Sequence, residues 1–322
     1  MAERVAFISR FNQTCGVAAW AEPVVDYLLR QGYEVRVFAN VDHRFWVTQP
    51  DEPYVVRSYV ESVGKVDPKG FKPDIVVVQQ HCVEPVMVPH EWVNDENVKK
   101  VMIVHHPQTV DWWAPRIYDL VVGFDDRWLP YFREKGVENY AIIPYPVRPC
   151  ARHNRQEMRK RWRLPQNKVV VLIYGIRTPD YLRIWSYPVI AGYYVLWFTP
   201  VPVFAFSFVG NLDVRLGVLS PRQLDEILSA CDVLWLHKPC QPKTAPILSS
   251  TVYQTLDSGI GIALLDGAFS YDVPGDVVVY QDERGIVQAI RDAAGRCDWA
   301  VRKKWMENRT PDRVWGAILD RL

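Results

Sequence analysis

Apolar runs recur along this chain at intervals that leave room for a helix between them. Ile-Val-Val-Val at 75–78 and Val-Met-Ile-Val at 101–104 are apolar on both faces. A parallel strand reads that way when helices cover the sheet on each side. The pattern predicts strands over residues 4–9, 34–39, 74–79, 100–105, 120–124 and 140–144. Amphipathic stretches predict helices over 16–31 and 127–135, with a shorter one around 90–97. The stretch 147–165 breaks this rhythm: it is rich in arginine and bounded by prolines, and reads as a linker with an entry helix. Alternation then resumes, with strands over 168–174, 201–209, 233–237, 260–265 and 277–280. The helices between them fall at 179–192, 221–230, 250–258 and 283–294, and the tail 299–322 is an amphipathic helix pair broken at Thr310-Pro311. Strand–helix alternation in two blocks predicts a chain of two α/β domains with right-handed crossovers.

A length of 322 residues accommodates two cores of that kind. Hydrophobic residues at 49% and charged residues at 23% place the chain among ordinary globular proteins. A net charge of +1 gives no electrostatic basis for binding nucleic acid, so no nucleic-acid partner is expected. The opening residues MAERVAFIS carry no signal-peptide pattern, and the most apolar stretch, 188–209, is interrupted by Pro200 and Pro202. Six cysteines without a CxxC pair argue against both a zinc site and a disulfide framework, and the cytoplasm is the expected location. Thirteen tryptophans fit either dense packing or stacking on sugars.

The segment with the most chemistry is 169–183, a strand that ends at Gly175 and is followed by Arg177 and Arg183. Two guanidiniums delivered from the end of a buried strand suit clustered negative charge such as a diphosphate. The first half opens in a matching way, with a strand, a loop carrying Gly16, and a helix.

Several local patterns share one family resemblance. Cys15-Gly16-Val17 before a helix, then Gly32-Tyr33-Glu34-Val35, looks like a glycine loop with a GHEV strand entry. Pro73-Asp74-Ile75 running to His81, Val104-His105-His106, the stretch 118–124, Ile143-Pro144-Tyr145-Pro146-Val147 and the stretch 232–237 follow in the same order. Together these resemble the GT-B glycosyltransferases, specifically the retaining, metal-independent glycosyltransferase family four. The resemblance implies two Rossmann-like domains facing across a central cleft, with a C-terminal helix crossing back to the first. The boundaries expected are 1–147 for the acceptor-side domain, 148–298 for the nucleotide-sugar domain and 299–322 for the returning helices. It implies transfer of a hexose from a nucleotide sugar to an acceptor hydroxyl that the motifs do not name. No resident cofactor or metal is expected, and no Asp-x-Asp motif occurs. One feature departs from the family. Its two glutamates, seven residues apart, have no equivalent, because no glutamate lies between Glu226 and Glu283. Gln254 stands where the ribose-binding one is expected, and an amide bonds a hydroxyl without supplying charge.

Within that resemblance Arg177 and Arg183 are spaced as the family's arginine and lysine, Arg183 having the alternative of a solvated helix residue. Gly16 permits close backbone approach to phosphates. Ser249, Ser250 and Thr251 open a helix and offer an anion seat, or simply an N-cap. Lys243 either adds charge there or is a surface lysine. His106 is the expected active-site histidine, with His105 the alternative, since neighbours on a strand face opposite ways. Trp112 and Trp113 suit a sugar-stacking plate, packing or a lid, and His81 reads as structural. The basic stretch 148–168 is either a solvated face or a peripheral contact with an anionic membrane. Two other readings remain open: a non-catalytic scaffold that kept the fold and lost the glutamates, and a nucleotide-sugar epimerase.

Overall fold

The computed structural model describes residues 3–40, 47–59, 66–80, 88–107, 117–175, 192–200, 211–238 and 242–322. The chain divides into two compact units, Met1–Pro146 with Asn308–Leu322, and Val147–Glu307. In the first unit β1 (Arg4–Ser9) leads to α1 (Gly16–Arg30), β2 (Glu34–Asn40), β3 (Val55–Tyr59) and β4 (Ile75–Gln80). After these come α2 (His90–Val93), β5 (Lys99–Val104), β6 (Leu120–Gly123), α3 (Leu129–Glu134) and β7 (Tyr140–Ile142). The strands form one sheet in the order β3-β2-β1-β4-β5-β6-β7, every neighbouring pair parallel.

The second unit repeats the plan. It runs through α4 (Arg155–Arg161), β8 (Val170–Ile173), β9 (Tyr194–Thr199), β10 (Leu212–Leu216), α5 (Pro221–Ala230) and β11 (Val233–Leu236). Then follow α6 (Ser250–Tyr253), β12 (Gly261–Leu265), β13 (Val278–Tyr280), α7 (Ile286–Ala293) and α8 (Trp299–Met306). Its sheet is β10-β9-β8-β11-β12-β13, again parallel throughout. Numbered within each unit, both sheets begin 3-2-1-4-5-6, so the winding reverses between β1 and β4 and again between β8 and β11. In open α/β sheets ligands bind outside the carboxyl ends of the strands at such a reversal.

The final helix, α9 (Pro311–Leu319), belongs to the first unit. Its Trp315 is fully buried, with the ring 6.4 Å from Phe7 of β1 and edge-on to Tyr33 at 6.3 Å. Burying an indole of this size is worth about 3 kcal/mol or more, which ties the chain end to the first sheet. α8 belongs to the second unit, where the buried pair Arg302–Asp276 holds it.

Two strands, β3 and β10, were not legible in the sequence. Both are sheet edges, and β10 carries Asp213 and Arg215, which pair with each other and make the segment read as a polar loop. β9 occupies 194–199, earlier than the expected strand at 201–209. Proline cannot donate to a ladder, and Pro200 follows β9 directly. Residues 201–209 and most of the expected helix at 179–192 lie outside the described residues.

The basic stretch is largely a solvated face, with Arg152, Arg155, Lys160, Arg161, Arg163 and Lys168 exposed, but several of its charges are paired. Arg159 is buried and donates to Ala230 O, Gln166 O and Asp232. Arg155 also pairs with Asp232, while Arg161 pairs with the buried Glu226, which accepts from Trp162 Nε1 at 3.2 Å as well. These arginines clamp α4 to α5 and β11. Among the described residues no helix is long and apolar enough to cross a membrane.

Candidate functional site

At the carboxyl end of the second sheet, β8 runs into Tyr174 and Gly175. The Tyr174 hydroxyl points at Gln254 Oε1 (3.3 Å) and Thr251 O (3.4 Å), and burial pushes its pKa up, so it stays a protonated donor. Gly175 has φ +126°, and a Cβ there would sit 3.3 Å from Thr251 Oγ1. Positive φ together with that close approach requires glycine at this turn. The backbone thus passes directly beneath α6, the short helix carrying Ser250 and Thr251.

Ser249 stands at the cap position of α6 but makes no side-chain cap bond. Its hydroxyl, only 2% exposed, instead lies 3.4 Å from Lys238 Nζ. Capping is therefore not what Ser249 does here. Gln254 closes α6 and is held from two sides, its Oε1 by Tyr174 and its carbonyl by the Cys150 thiol at 3.4 Å. Ser249, Ser250, Thr251 and Gln254 follow one another through α6, and of these Thr251 and Gln254 meet the strand end at Gly175 and Tyr174. Lys243 is not gathered with them: its side chain is 55% exposed and its Nζ lies 2.8 Å from Asp266 Oδ1. Bonds from Lys243 and Ser270 hold the Asp266 carboxyl down at about 2, so it faces Lys243 as a carboxylate across the neutral range.

Three features of this edge were missed in the sequence. Lys238 is the second residue past β11, and a cation just after a buried strand at a winding reversal was the available signal. Asp266, at the end of β12, supplies an ionised carboxylate to an edge that seemed to lack acids. His237 and Tyr280 meet across β11 and β13, His237 Nδ1 lying 2.9 Å from Tyr280 Oη, which also accepts from Trp235 Nε1 at 2.7 Å. Nothing in local sequence announces that contact between residues 43 positions apart.

In the first unit, Gly16 begins α1 after Cys15, whose thiol accepts the Ala18 amide as an N-cap. The Gly16 carbonyl accepts from Tyr145 Oη at 2.5 Å, so Tyr145 fixes the start of the helix to the end of the unit. β5 ends at Val104, which leaves His105 and His106 in the following loop rather than alternating on a strand. The His105 ring packs edge-on against Phe124 (5.1 Å) and Tyr145 (6.3 Å), while His106 is half-buried beside it in sequence. Arg177, Arg183, His81, Trp112 and Trp113 lie outside the described residues. Among the described residues no group of three or more His, Cys, Asp or Glu side chains is arranged to hold a metal ion.

No protein-family model matches the chain. Solved structures do. Sucrose-phosphate synthase of Thermosynechococcus elongatus superposes with a TM-score of 0.70 at 12% identity, over 99% of each chain. A glycosyltransferase from Rickettsia africae follows at 0.66 and 10%, over 99% of this chain and 97% of that one. The chain has the GT-B fold. An α-glucosyltransferase solved with UDP and a 13-mer DNA is similar at a TM-score of 0.56 and 11% identity, over 99% of this chain and 95% of that one. At these identities the similarity is one of architecture, shared across both units of this GT-B chain.

Proposed function

We propose that this chain is a glycosyltransferase that moves a hexose from a nucleoside-diphosphate sugar to an acceptor hydroxyl, with retention of configuration and without a metal ion. The observation that carries the reading is the turn at the β8 end, where Gly175 and Tyr174 meet Thr251 and Gln254 at the winding reversal of the second sheet. A glycine backbone close to hydroxyl and amide side chains suits a phosphate chain and a ribose, which need neutral donors at short range. The full-length likeness to glycosyltransferases supports the same assignment.

The chemistry follows from the leaving group. The bond from the sugar's anomeric carbon to the phosphate oxygen breaks, and the acceptor oxygen bonds to that carbon on the same face. The acceptor proton passes to the departing phosphate. Charge grows on the diphosphate as the bond lengthens, so fixed cations and donors lower the barrier. Arg177 and Arg183 are the cations proposed from the sequence, and His106 the residue that orients a sugar or acceptor hydroxyl. Gln254 takes the place of a ribose-binding acid. UDP is the first nucleotide to test, since a neighbour of this fold binds it; the net charge of +1 favours no nucleic-acid acceptor.

The test is a thermal-shift screen against UDP, GDP, ADP and their sugars, followed by measurement of nucleoside diphosphate released from each donor. A ligand that binds the folded state alone raises the melting temperature, by about 2.7 kcal/mol of added stability at a hundredfold excess over Kd. The expected result is a shift with one base and release from at least one of its sugars. Binding without release from any donor favours the scaffold reading, and conversion of the donor without an acceptor favours an epimerase.

A further inference from the structure

The carboxyl end of the second sheet holds a cation and a histidine that the reading above leaves unused. Lys238 Nζ lies 3.4 Å from the buried Ser249 hydroxyl and 5.0 Å from the centre of the Phe269 ring. An aromatic face attracts an ammonium, and a serine oxygen accepts one of its three protons. Both contacts hold the side chain over the edge formed by β11 and α6, across the winding reversal from Gly175. Lys243, by contrast, is committed to Asp266.

Beside it, the Trp235 indole donates to Tyr280 Oη at 2.7 Å, and Tyr280 Oη is 2.9 Å from His237 Nδ1. The His237 and Tyr280 rings lie nearly parallel, 7° apart with centroids at 6.0 Å. Burial lowers the His237 pKa, with Glu283 opposing it, so the imidazole is neutral at pH 7. With the indole N–H directed at Tyr280 Oη, a phenol hydrogen directed at an unprotonated Nδ1 makes the ring the Nε2–H tautomer, an uncharged donor one residue before Lys238.

We propose that Lys238 joins Arg177 and Arg183 in receiving the ligand's diphosphate in the second unit, with His237, held by Tyr280, as its hydrogen-bonding neighbour in sequence. This rests on the reading that the second unit holds a nucleoside diphosphate. It makes Lys238 a donor-side specificity residue, one that Lys243 does not replace.

Calorimetric titration of the full chain with inorganic pyrophosphate and with UDP and GDP tests it. Loss of one charge-assisted contact predicts that Lys238→Met weakens pyrophosphate binding about tenfold or more, and Lys238→Gln likewise. Lys238→Arg retains binding within about threefold, whereas Lys243→Met stays within about twofold of the parent. Unfolding midpoints of these variants equal to the parent's exclude a loss through misfolding. Ring nitrogen shifts of His237 should report the Nε2–H tautomer in the parent and a tautomer mixture in Tyr280→Phe. If the parent binds pyrophosphate and Lys238→Met binds it equally well, or Lys243→Met loses as much, this inference falls alone. If the parent binds neither pyrophosphate nor any nucleoside diphosphate, the proposed function falls with it.

Discussion

Replacing Arg302 by methionine would leave Asp276 as a nearly unpaired charge inside the second unit. The two side chains are 0% and 2% exposed and bonded Nε to Oδ2 at 2.6 Å. Arg302 Nη1 also donates to Leu256 O at 3.1 Å, in the turn that follows α6. Without the guanidinium, Asp276 keeps a single long bond from the Asp298 amide at 3.3 Å. Breaking a buried pair from one side costs about 3–5 kcal/mol, and the sparse remaining partners put Arg302→Met at the upper end. Asp276→Asn should cost less, since Arg302 retains the Leu256 carbonyl. Asp276 Oδ1 and Arg302 Nη2 are already buried without partners, so the native pair is incompletely compensated. The double variant, neutral at both positions, should therefore lose under about 2 kcal/mol, giving a coupling of about 2 kcal/mol or more between the sites. Urea unfolding reads this directly: with a slope of about 2 kcal/mol per molar, Arg302→Met lowers the midpoint by about 2 M. Hydrogen exchange followed by mass spectrometry assigns the loss to α8 and to the turn at Leu256, and thus to the support of Thr251 and Gln254. A cost below about 1 kcal/mol for Arg302→Met, or single costs that simply add in the double variant, would refute the reasoning.

Gly261→Ala places a Cβ 1.9 Å from Ala293 O, a backbone atom of α7 that cannot turn aside. The helix must shift off β12, at a cost of about 3 kcal/mol or more by thermal unfolding, while an alanine placed at Gly295 should leave α7 seated on β12. Because the Asp266 carboxyl is depressed to about 2 by Lys243 and Ser270, its contribution is complete above its unfolded value of about 3.9 and fades as pH falls toward 2. Asp266→Asn should therefore flatten the acid limb of the stability curve and change nothing at pH 7–8 beyond the lost bond. Burial pushes the Cys231 thiol up to about 12, so in native protein at pH 8 it should resist iodoacetamide, with alkylation appearing only on unfolding. Prompt labelling of Cys231 in the folded chain, read by peptide mass, would contradict that burial.

Local sequence determined a good deal of this molecule. Runs such as Ile75–Val78 are apolar on both faces, and a parallel strand covered on both sides buries them fully. The helix at 221–230 is bounded by its own chemistry, Ser220 and Gln223 forming a capping box with Pro221 at the first position. The edge strands β3 and β10 were hidden because an edge strand needs one apolar face at most. A second limit appeared at 194–199, where hydrophobicity alone does not separate a buried strand from the end of a buried helix. That Ser249, Thr251 and Gln254 share one short helix was legible, since they are neighbours in sequence.

Charge was where tertiary structure decided. Six arginines between 148 and 163 read as a positive surface, yet the fold sets Arg148, Arg155, Arg159 and Arg161 against Asp225, Asp232 and Glu226. Lys243 and Lys238 look alike in the sequence, but one meets Asp266 and the other a serine hydroxyl and an aromatic ring. The reason is physical: hydrophobic periodicity is a property of neighbouring residues, whereas the partner of a charge is chosen by contacts between segments tens of residues apart. What an ionic side chain can do is fixed only when the sheet order brings its partner to it.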